Sequence, residues 1–228
     1  MYNNKTILGF IPARAGSKRI KNKNIVELND KPLIGWTIEA AKASKYIDYL
    51  FVSTDSAHIR DIAKSFGAEV PFLREKKYAD DNAKTIDVII NDLRKLKEIN
   101  LEFDYIILLQ PTHPLRRDFH INDSIRTMID NDIDSLISVV KAKENPVFLR
   151  QRTESGYLKN LLSVSSTIRT QDLPVYYRID GSIYINKIES LDSSTSLNDN
   201  SYGYIIGDEY TCDIDDYSDL ERVRKLLI

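Results

Sequence analysis

The stretch that decides the fold is residues 7–24, ILGFIPARAGSKRIKNKN. Residues 7–11 are mostly apolar and predict a short buried strand. Pro12 ends that strand, because proline has no backbone N–H to donate to a sheet. The loop that follows carries the cations Arg14, Lys18, Arg19, Lys21 and Lys23 around one glycine and one serine. A strand that leads directly into a small basic loop suits an anionic ligand at the carboxyl edge of an α/β sheet.

Residue types alone leave two interpretations of this loop open. In the first, the backbone N–H groups of residues 15–18 surround phosphate oxygens while Lys and Arg side chains neutralise the charge. In the second, the loop is an ordinary solvated basic surface. The loop has neither the Gly-x-x-x-x-Gly-Lys-Ser/Thr of a P-loop nor the three-glycine dinucleotide fingerprint, so no common phosphate motif decides between them.

Composition limits the classes of protein that are compatible with the chain. The 228 residues are enough for one domain with a real core, and 32 Lys and Arg nearly balance 34 Asp and Glu. That balance argues against a nucleic-acid-binding protein, which normally has a net basic field. A single cysteine, Cys212, excludes an internal disulfide and suits a reducing compartment. No stretch has the length of a signal-peptide core or a membrane span, so we expect a cytoplasmic protein without a membrane partner.

The order of predicted elements indicates the fold class. Apolar runs predict strands at 7–11, 49–53, 69–72, 105–109, 135–140, 181–186 and 204–206. Helical spacing and capping residues predict helices at 33–44, 56–66, 83–97, 118–131 and 218–227. Alternating strands and helices of these lengths predict an α/β protein with a doubly wound, mostly parallel sheet. Residues 1–228 are predicted to be a single domain, with an insertion at about 141–177, because that segment is polar, irregular and too long for a structureless loop.

The loop resembles the N-terminal signature of the cytidylyltransferases that activate sialic acids. The family pattern Ala-Arg-x-x-Ser-Lys-x-x-x-x-Lys-Asn is matched by Ala13, Arg14, Ser17, Lys18, Lys23 and Asn24. The resemblance runs from residue 7 to about residue 227 and implies a Rossmann-like nucleotidyltransferase fold. It also implies that these six residues bind the nucleotide.

Two further stretches extend the resemblance toward the nucleotide and the sugar. Arg74, and Thr85 near a helix start, match family positions beside the nucleotide; without the resemblance, that loop is explained by helix capping through Asp81 or Asn82. Gln110 opens LQPTHPLR at residues 109–116, where the family has Leu-Gln-Pro-Thr-Ser-Pro-Leu-Arg and its glutamine contacts the sugar. The departure at His113 is interpreted as a substituted turn residue rather than a catalytic base.

The last two matches concern the sugar acid and a metal. Arg178 precedes Asp180 and Gly181 as in the family's Arg-x-Asn-Gly motif, in which the arginine faces the sugar carboxylate, although Asp180 replaces the usual asparagine. Asp213 and Asp215 match the family's Asp-Ile-Asp metal motif. Alternation on a strand places both carboxylates on one face, where they repel unless a cation such as Mg²⁺ lies between them. The alternative is an acidic turn whose Asp216 caps the last helix.

The resemblance implies an enzyme that transfers CMP from CTP to the anomeric hydroxyl of a nine-carbon acidic sugar, releasing pyrophosphate. Arg14, Lys18 and Asp215 are the implied catalytic residues, Mg²⁺ the implied cofactor, and a homodimer joined through the arm at 141–177 the implied assembly. The motifs are compatible with either sialic acid or legionaminic acid as the substrate. The cationic loop differs from that of the KDO enzymes, and the two later motifs are generally lacking in the pseudaminic acid enzymes, so these two substrates are less favoured. The alternative of another class is an inactive nucleotide-binding assembly domain.

Overall fold

The computed structural model describes residues 1–80, 82–164 and 167–227. Its strands are β1 (Ile7–Pro12), β2 (Glu27–Leu28), β3 (Lys31–Pro32), β4 (Tyr49–Ser53), β5 (Tyr105–Leu109), β6 (Ser135–Lys141), β7 (Arg150–Arg152), β8 (Leu158–Asn160), β9 (Tyr177–Lys187) and β10 (Tyr202–Ile205). Its α-helices are α1 (Leu33–Lys42), α2 (Ala57–Ser65), α3 (Thr85–Glu98), α4 (Asp118–Asp130) and α5 (Tyr217–Leu226).

Within the described residues, six strands form one sheet in the order β10-β6-β9-β5-β1-β4. Strand β1 is parallel to both β4 and β5, and β10 is parallel to β6. Strand β9 is antiparallel to its two neighbours, β5 and β6. The predicted mostly parallel α/β fold is confirmed, and the sequence did not indicate that its one antiparallel strand enters the middle of the sheet.

The sheet is covered on both faces because the buried side chains of β1 alternate between two apolar layers. Ile7 and Ile11 belong to the layer that contains residues of α1, α2 and α4. Leu8 and Phe10 belong to the opposite layer, with residues of α3. Because β1 is parallel to β4 and β5, the carboxyl ends of these three strands lie side by side at one edge of the sheet.

Some predicted element boundaries need correction. The predicted strand at 69–72 is only a single bridge between Glu69 and Phe51. Helix α3 begins after Lys84 without a side-chain cap, so Asn82 is not its capping residue, and Asp81 lies outside the described residues. Helix α5 is capped by the Asp216 carboxylate, which accepts from the backbone N–H groups of Ser218 and Asp219.

The insertion at 141–177 leaves the main sheet and returns to it. Its base is closed by the bond from Ala142 N to Tyr176 O at 2.8 Å. Beyond that base, β7 and β8 form a separate antiparallel pair. Large apolar side chains are exposed on this arm, namely Phe148, Leu149, Tyr157, Leu158, Leu161, Ile168, Val175 and Tyr177. Val147 differs from them because it is buried. The division into one domain with an arm stays a prediction.

The helices of the described chain are short compared with the thickness of a lipid bilayer. None of those in residues 1–80, 82–164 and 167–227 is both long and apolar enough to cross a membrane.

Candidate active site

A cleft of about 480 Å³ lies where β1, β4 and β5 end. Of the residues that the sequence singled out, those lining it are Arg14, Ser17, Lys18, Lys23, Asn24, Arg74, Thr85, Gln110 and Asp215. Ala13, Arg178 and Asp213 do not line it. Ala13 is buried, and its N–H donates to Ser53 O at 2.8 Å, so it joins the cationic loop to β4.

The cationic loop is held in place by contacts to its own backbone. Asn24 Nδ2 donates to the Arg14 carbonyl at 2.9 Å, and the Asp55 carboxylate accepts from Ala15 N at 2.8 Å. Ser17 N donates to Ala15 O at 3.1 Å. The backbone N–H groups of Ala15 and Ser17 therefore bind protein oxygens, and the expectation that the N–H groups of residues 15–18 surround a phosphate stays a prediction. Asn24 shapes the loop through its amide, and Asp55, which the sequence analysis did not select, does the same.

Lys23 and Asp215 form an ion pair at the cleft wall. Lys23 Nζ donates to Asp215 Oδ1 at 3.1 Å and to Ile214 O at 2.9 Å, and Arg19 Nη1 lies 3.0 Å from Asp215 Oδ2. The hydrogen bond from Lys23, followed by the charges of Lys23 and Arg19, holds the pKa of Asp215 below its usual range. Lys23 and Arg19 thus place positive charge beside Asp215, and the Mg²⁺ site at Asp213 and Asp215 stays a prediction.

The acidic segment is extended but is not a strand, contrary to the prediction. Ile214 N donates to Thr112 O at 3.0 Å, which holds the segment beside the end of β5. Cys212 and Ile214 are buried, whereas the side chains of Asp213 and Asp215 keep 56% and 50% of their exposure. The alternation places both carboxylates on the open side, and hard oxygen donors of this kind fit Mg²⁺, which is commonly held by one or two carboxylates plus phosphate oxygens.

Arg74 and Thr85 stand on the other wall of the cleft. Arg74 Nε donates to Ser53 Oγ at 2.9 Å and its Nη2 to Ser53 O at 2.8 Å. Thr85 is the first residue of α3. The turn before it is shaped by the Asp80 carboxylate, which accepts from Asn82 N and Ala83 N at 2.8 Å each.

The backbone of Gln110 is held beside the cleft by a hydrogen bond from a buried arginine. Arg116 Nη1 donates to Gln110 O at 3.2 Å and to Ser182 O at 2.7 Å, while its Nη2 donates to Thr37 Oγ1 at 2.8 Å. Complete burial lowers the pKa of Arg116 to about 10. Arg116 therefore ties together β5, β9 and α1, a role that the motif alone did not indicate.

Arg178 lies on β9, exposed and outside the cleft lining. Two residues on, Asp180 is buried and accepts from Ser182 N at 3.3 Å and Ser138 Oγ at 3.4 Å. His113 is also buried, its Nε2 lies 3.8 Å from Asp213 Oδ1, and burial lowers its pKa. The interpretation of His113 as a turn residue stays a prediction.

A doubly wound sheet with a cationic cleft at the carboxyl ends of its strands defines a Rossmann-like protein of the nucleotidyltransferase class. A family model described as Cytidylyltransferase matches residues 8–191. The chain belongs to the cytidylyltransferase family, and the resemblance noted in its sequence is confirmed.

Individual relatives agree with this assignment. The chain is 37% identical over 223 residues to post-translational flagellin modification protein B of Campylobacter coli, covering 97% of this chain and 94% of that protein. It is 39% identical over 192 residues to the CMP-N,N'-diacetyllegionaminic acid synthase of Legionella pneumophila, covering 84% and 82%. It is 33% identical over 217 residues to the N-acylneuraminate cytidylyltransferase of Streptococcus agalactiae serotype V, covering 94% of this chain and 51% of that protein, and so spans about half of its length.

The fold also has a solved counterpart. The structure of a CMP:2-keto-3-deoxy-manno-octonic acid synthetase complexed with CTP superposes with a TM-score of 0.73 at 17% identity, covering 97% of this chain and 98% of that one. At this identity the likeness concerns the fold alone.

Proposed function

We propose that this protein transfers CMP from CTP to the anomeric hydroxyl of a nine-carbon acidic sugar. The sugar hydroxyl oxygen attacks the α-phosphorus and loses its proton to solvent, the bond between the α-phosphorus and the bridging oxygen breaks, and pyrophosphate leaves with that oxygen. The observation that carries the proposal is the cleft in which Arg14, Lys18, Lys23 and Gln110 meet at the carboxyl edge of the sheet. Relatives named for sialic and legionaminic acid activation supply the substrate class.

In this proposal catalysis consists of positioning and charge neutralisation, as in phosphoryl transfer generally. Arg14, Lys18 and Lys23 hold the triphosphate. Asp213 and Asp215 hold Mg²⁺, which when bound withdraws charge from the phosphate oxygens. Lys23 and Asp215 are paired with each other, and a triphosphate and a cation would give each of them a new partner of opposite charge.

Gln110 and Arg178 are assigned to the sugar. Gln110 projects from the end of β5 with its backbone fixed by Arg116. Arg178 is on the neighbouring strand β9, and a guanidinium binds a carboxylate through two parallel hydrogen bonds. In this proposal Arg178 binds the carboxylate of the sugar and Gln110 binds a hydroxyl of the same sugar molecule.

The test is pyrophosphate release from CTP and Mg²⁺ with a panel of nonulosonic acids that includes sialic, legionaminic and pseudaminic acids, with KDO as the eight-carbon comparison. We expect release with a nine-carbon acid and none with CTP alone. Release of pyrophosphate with KDO only would reassign the substrate to the eight-carbon sugar. CTP binding without pyrophosphate release for any sugar would favour the inactive nucleotide-binding domain.

We also propose that the protein acts as a cytoplasmic homodimer joined through the arm at 141–177. Phe148, Leu161 and Val175 are 48%, 54% and 57% exposed, and apolar side chains clustered on one arm are typical of a protein–protein contact. A second copy supplies an identical apolar arm to cover them. Sedimentation is expected to show a dimer at micromolar concentration, and Leu161→Glu should shift it toward a monomer. A wild-type monomer would refute the assembly.

A further inference from the structure

A buried polar relay connects helix α3 to the wall of the cleft. Ser53 Oγ donates to the Asp92 carboxylate, and Arg74 Nε donates to the same hydroxyl at 2.9 Å. Asp92 is fully buried, Ser53 is 1% exposed and Arg74 is 8% exposed. Two opposite charges have thus been brought into the interior with a single hydroxyl between them.

Burial of this kind is costly for either charge without the other. Desolvation raises the pKa of Asp92, opposed by the hydrogen bond from Ser53 and the charge of Arg74. Desolvation likewise lowers the pKa of Arg74, with Asp92 as the first charge that opposes the shift. Each group therefore lowers the cost of burying the other.

The relay fixes the direction of the guanidinium and leaves part of it open. A guanidinium has five N–H donors in one plane. Nε and one Nη2 hydrogen are bound to Ser53, and Nη1 reaches Tyr78 O at 3.4 Å. The plane is thereby set, and Arg74 lines the cleft beside Tyr78 and Thr85.

We infer that Asp92, acting through Ser53, is a positioning residue that orients Arg74 toward the nucleotide. The inference rests on the proposed function, because it assumes that CTP occupies this cleft. It adds two residues that the sequence motifs did not mark: a buried acid on α3 and the last residue of β4.

The experiment measures CTP binding by titration calorimetry, the sugar KM and the melting temperature. Asp92→Asn keeps the shape and an acceptor for Ser53 but removes the charge, and Ser53→Ala removes the link. Each should weaken CTP binding about five- to twentyfold, which is less than the roughly ten- to hundredfold expected for loss of a direct contact to a charged group because Arg74 itself remains, and leave the sugar KM within about twofold. In an Arg74→Met background, Asp92→Asn should change CTP binding by less than about twofold, because coupled residues are not additive.

Ser124→Ala is the matched control, since Ser124 is also a fully buried serine, bonded to Ile121 O at 3.0 Å on helix α4. It should alter only the melting temperature. If Asp92→Asn and Ser53→Ala also alter only the melting temperature, or if Asp92→Asn weakens binding equally with Arg74→Met present, the inference is wrong and the relay is structural. A wild-type protein that binds no CTP would instead overturn the proposed function together with this inference.

Discussion

Lys23 Nζ lies 3.1 Å from Asp215 Oδ1, although the two residues are 192 positions apart in the chain. One member of this pair is assigned to phosphate and the other to a metal, and here each neutralises the other. A triphosphate then competes with Asp215 for Lys23, while a divalent cation competes with Lys23 for Asp215. Phosphate and metal binding should therefore be coupled, because each releases the partner that the other needs.

Asp215→Asn tests this coupling. We expect a large loss of turnover with Mg²⁺, partial recovery with Mn²⁺, and equal or tighter CTP binding without metal because Lys23 is released. The melting temperature should change little, since half-exposed ion pairs contribute about 0–1 kcal/mol. Glu221→Gln, which removes an exposed acid paired with Arg224 on α5, is the control. Normal turnover of both Asp215→Asn and Asp215→Ala in Mg²⁺ would eliminate the metal assignment.

Lys18→Ala tests the triphosphate assignment of the cationic loop. Loss of a charge-assisted contact costs about 1.5–3 kcal/mol, so CTP binding should weaken roughly ten- to hundredfold with little change in melting temperature. Arg14→Ala should behave in the same way. Lys21→Ala is the matched control, because Lys21 is an exposed lysine of the same loop that does not line the cleft. If all three variants bind CTP like the wild type, the loop is a solvated surface.

Arg178→Lys tests the sugar-binding assignment on β9. Lysine keeps the charge but not the two-pronged geometry that matches a carboxylate. The sugar KM should rise, or turnover fall, while CTP affinity in a titration without sugar stays the same. An equal loss of CTP affinity would place Arg178 on the nucleotide side instead.

His120 should give the fold a measurable pH dependence. Burial, with the nearby charge of Arg116, lowers the pKa of His120 from 6.5 to about 4. Between these values the unfolded chain binds a proton that the folded chain does not, so stability falls as the pH decreases from about 6.5 to 4, by at most about 3 kcal/mol. This contribution is fully present above pH 6.5.

His120→Gln separates that titration from capping. His120 Nδ1 accepts from Arg117 N at 3.1 Å, and a glutamine at this position of a helix makes the same bond. Urea unfolding at pH 7 and pH 5 should show a smaller difference for His120→Gln than for the wild type. His58→Gln, at an exposed histidine on α2, should keep the wild-type difference. Identical pH dependence of all three proteins would contradict the prediction.

The features that the sequence predicted correctly are those that depend on local residue patterns. Strands β4 and β5 begin and end where their apolar runs do, and the basic loop lines the cleft because it follows directly from β1. The insertion of β9 between β5 and β6 was not predictable, because strand pairing depends on distant partners and not on the apolar run itself. Asp92 was missed for a similar reason: within a helix an acid is normally a surface residue, and only the tertiary hydrogen bond from Ser53, which in turn accepts from Arg74, explains its burial.

The variant Arg116→Met tests how much Arg116 contributes to the stability of the fold and how much to substrate binding. Arg116→Met removes three hydrogen bonds, to Gln110 O, Ser182 O and Thr37 Oγ1. Gln110 O keeps weaker contacts from His113 N at 3.4 Å and Thr37 Oγ1 at 3.5 Å, so the main loss is at the buried Ser182 O and Thr37 Oγ1. Unfolding free energy should fall by about 2–4 kcal/mol, measured by urea titration, since each unsatisfied buried group costs about 1–3 kcal/mol and the apolar replacement recovers part of that. Arg117→Met, at the adjacent exposed arginine, should change it by less than about 0.5 kcal/mol. Because Gln110 O loses the shortest of its three hydrogen bonds, the sugar KM should rise in Arg116→Met while CTP affinity changes less. A variant as stable as the wild type would show that the buried guanidinium is not what holds β5, β9 and α1 together.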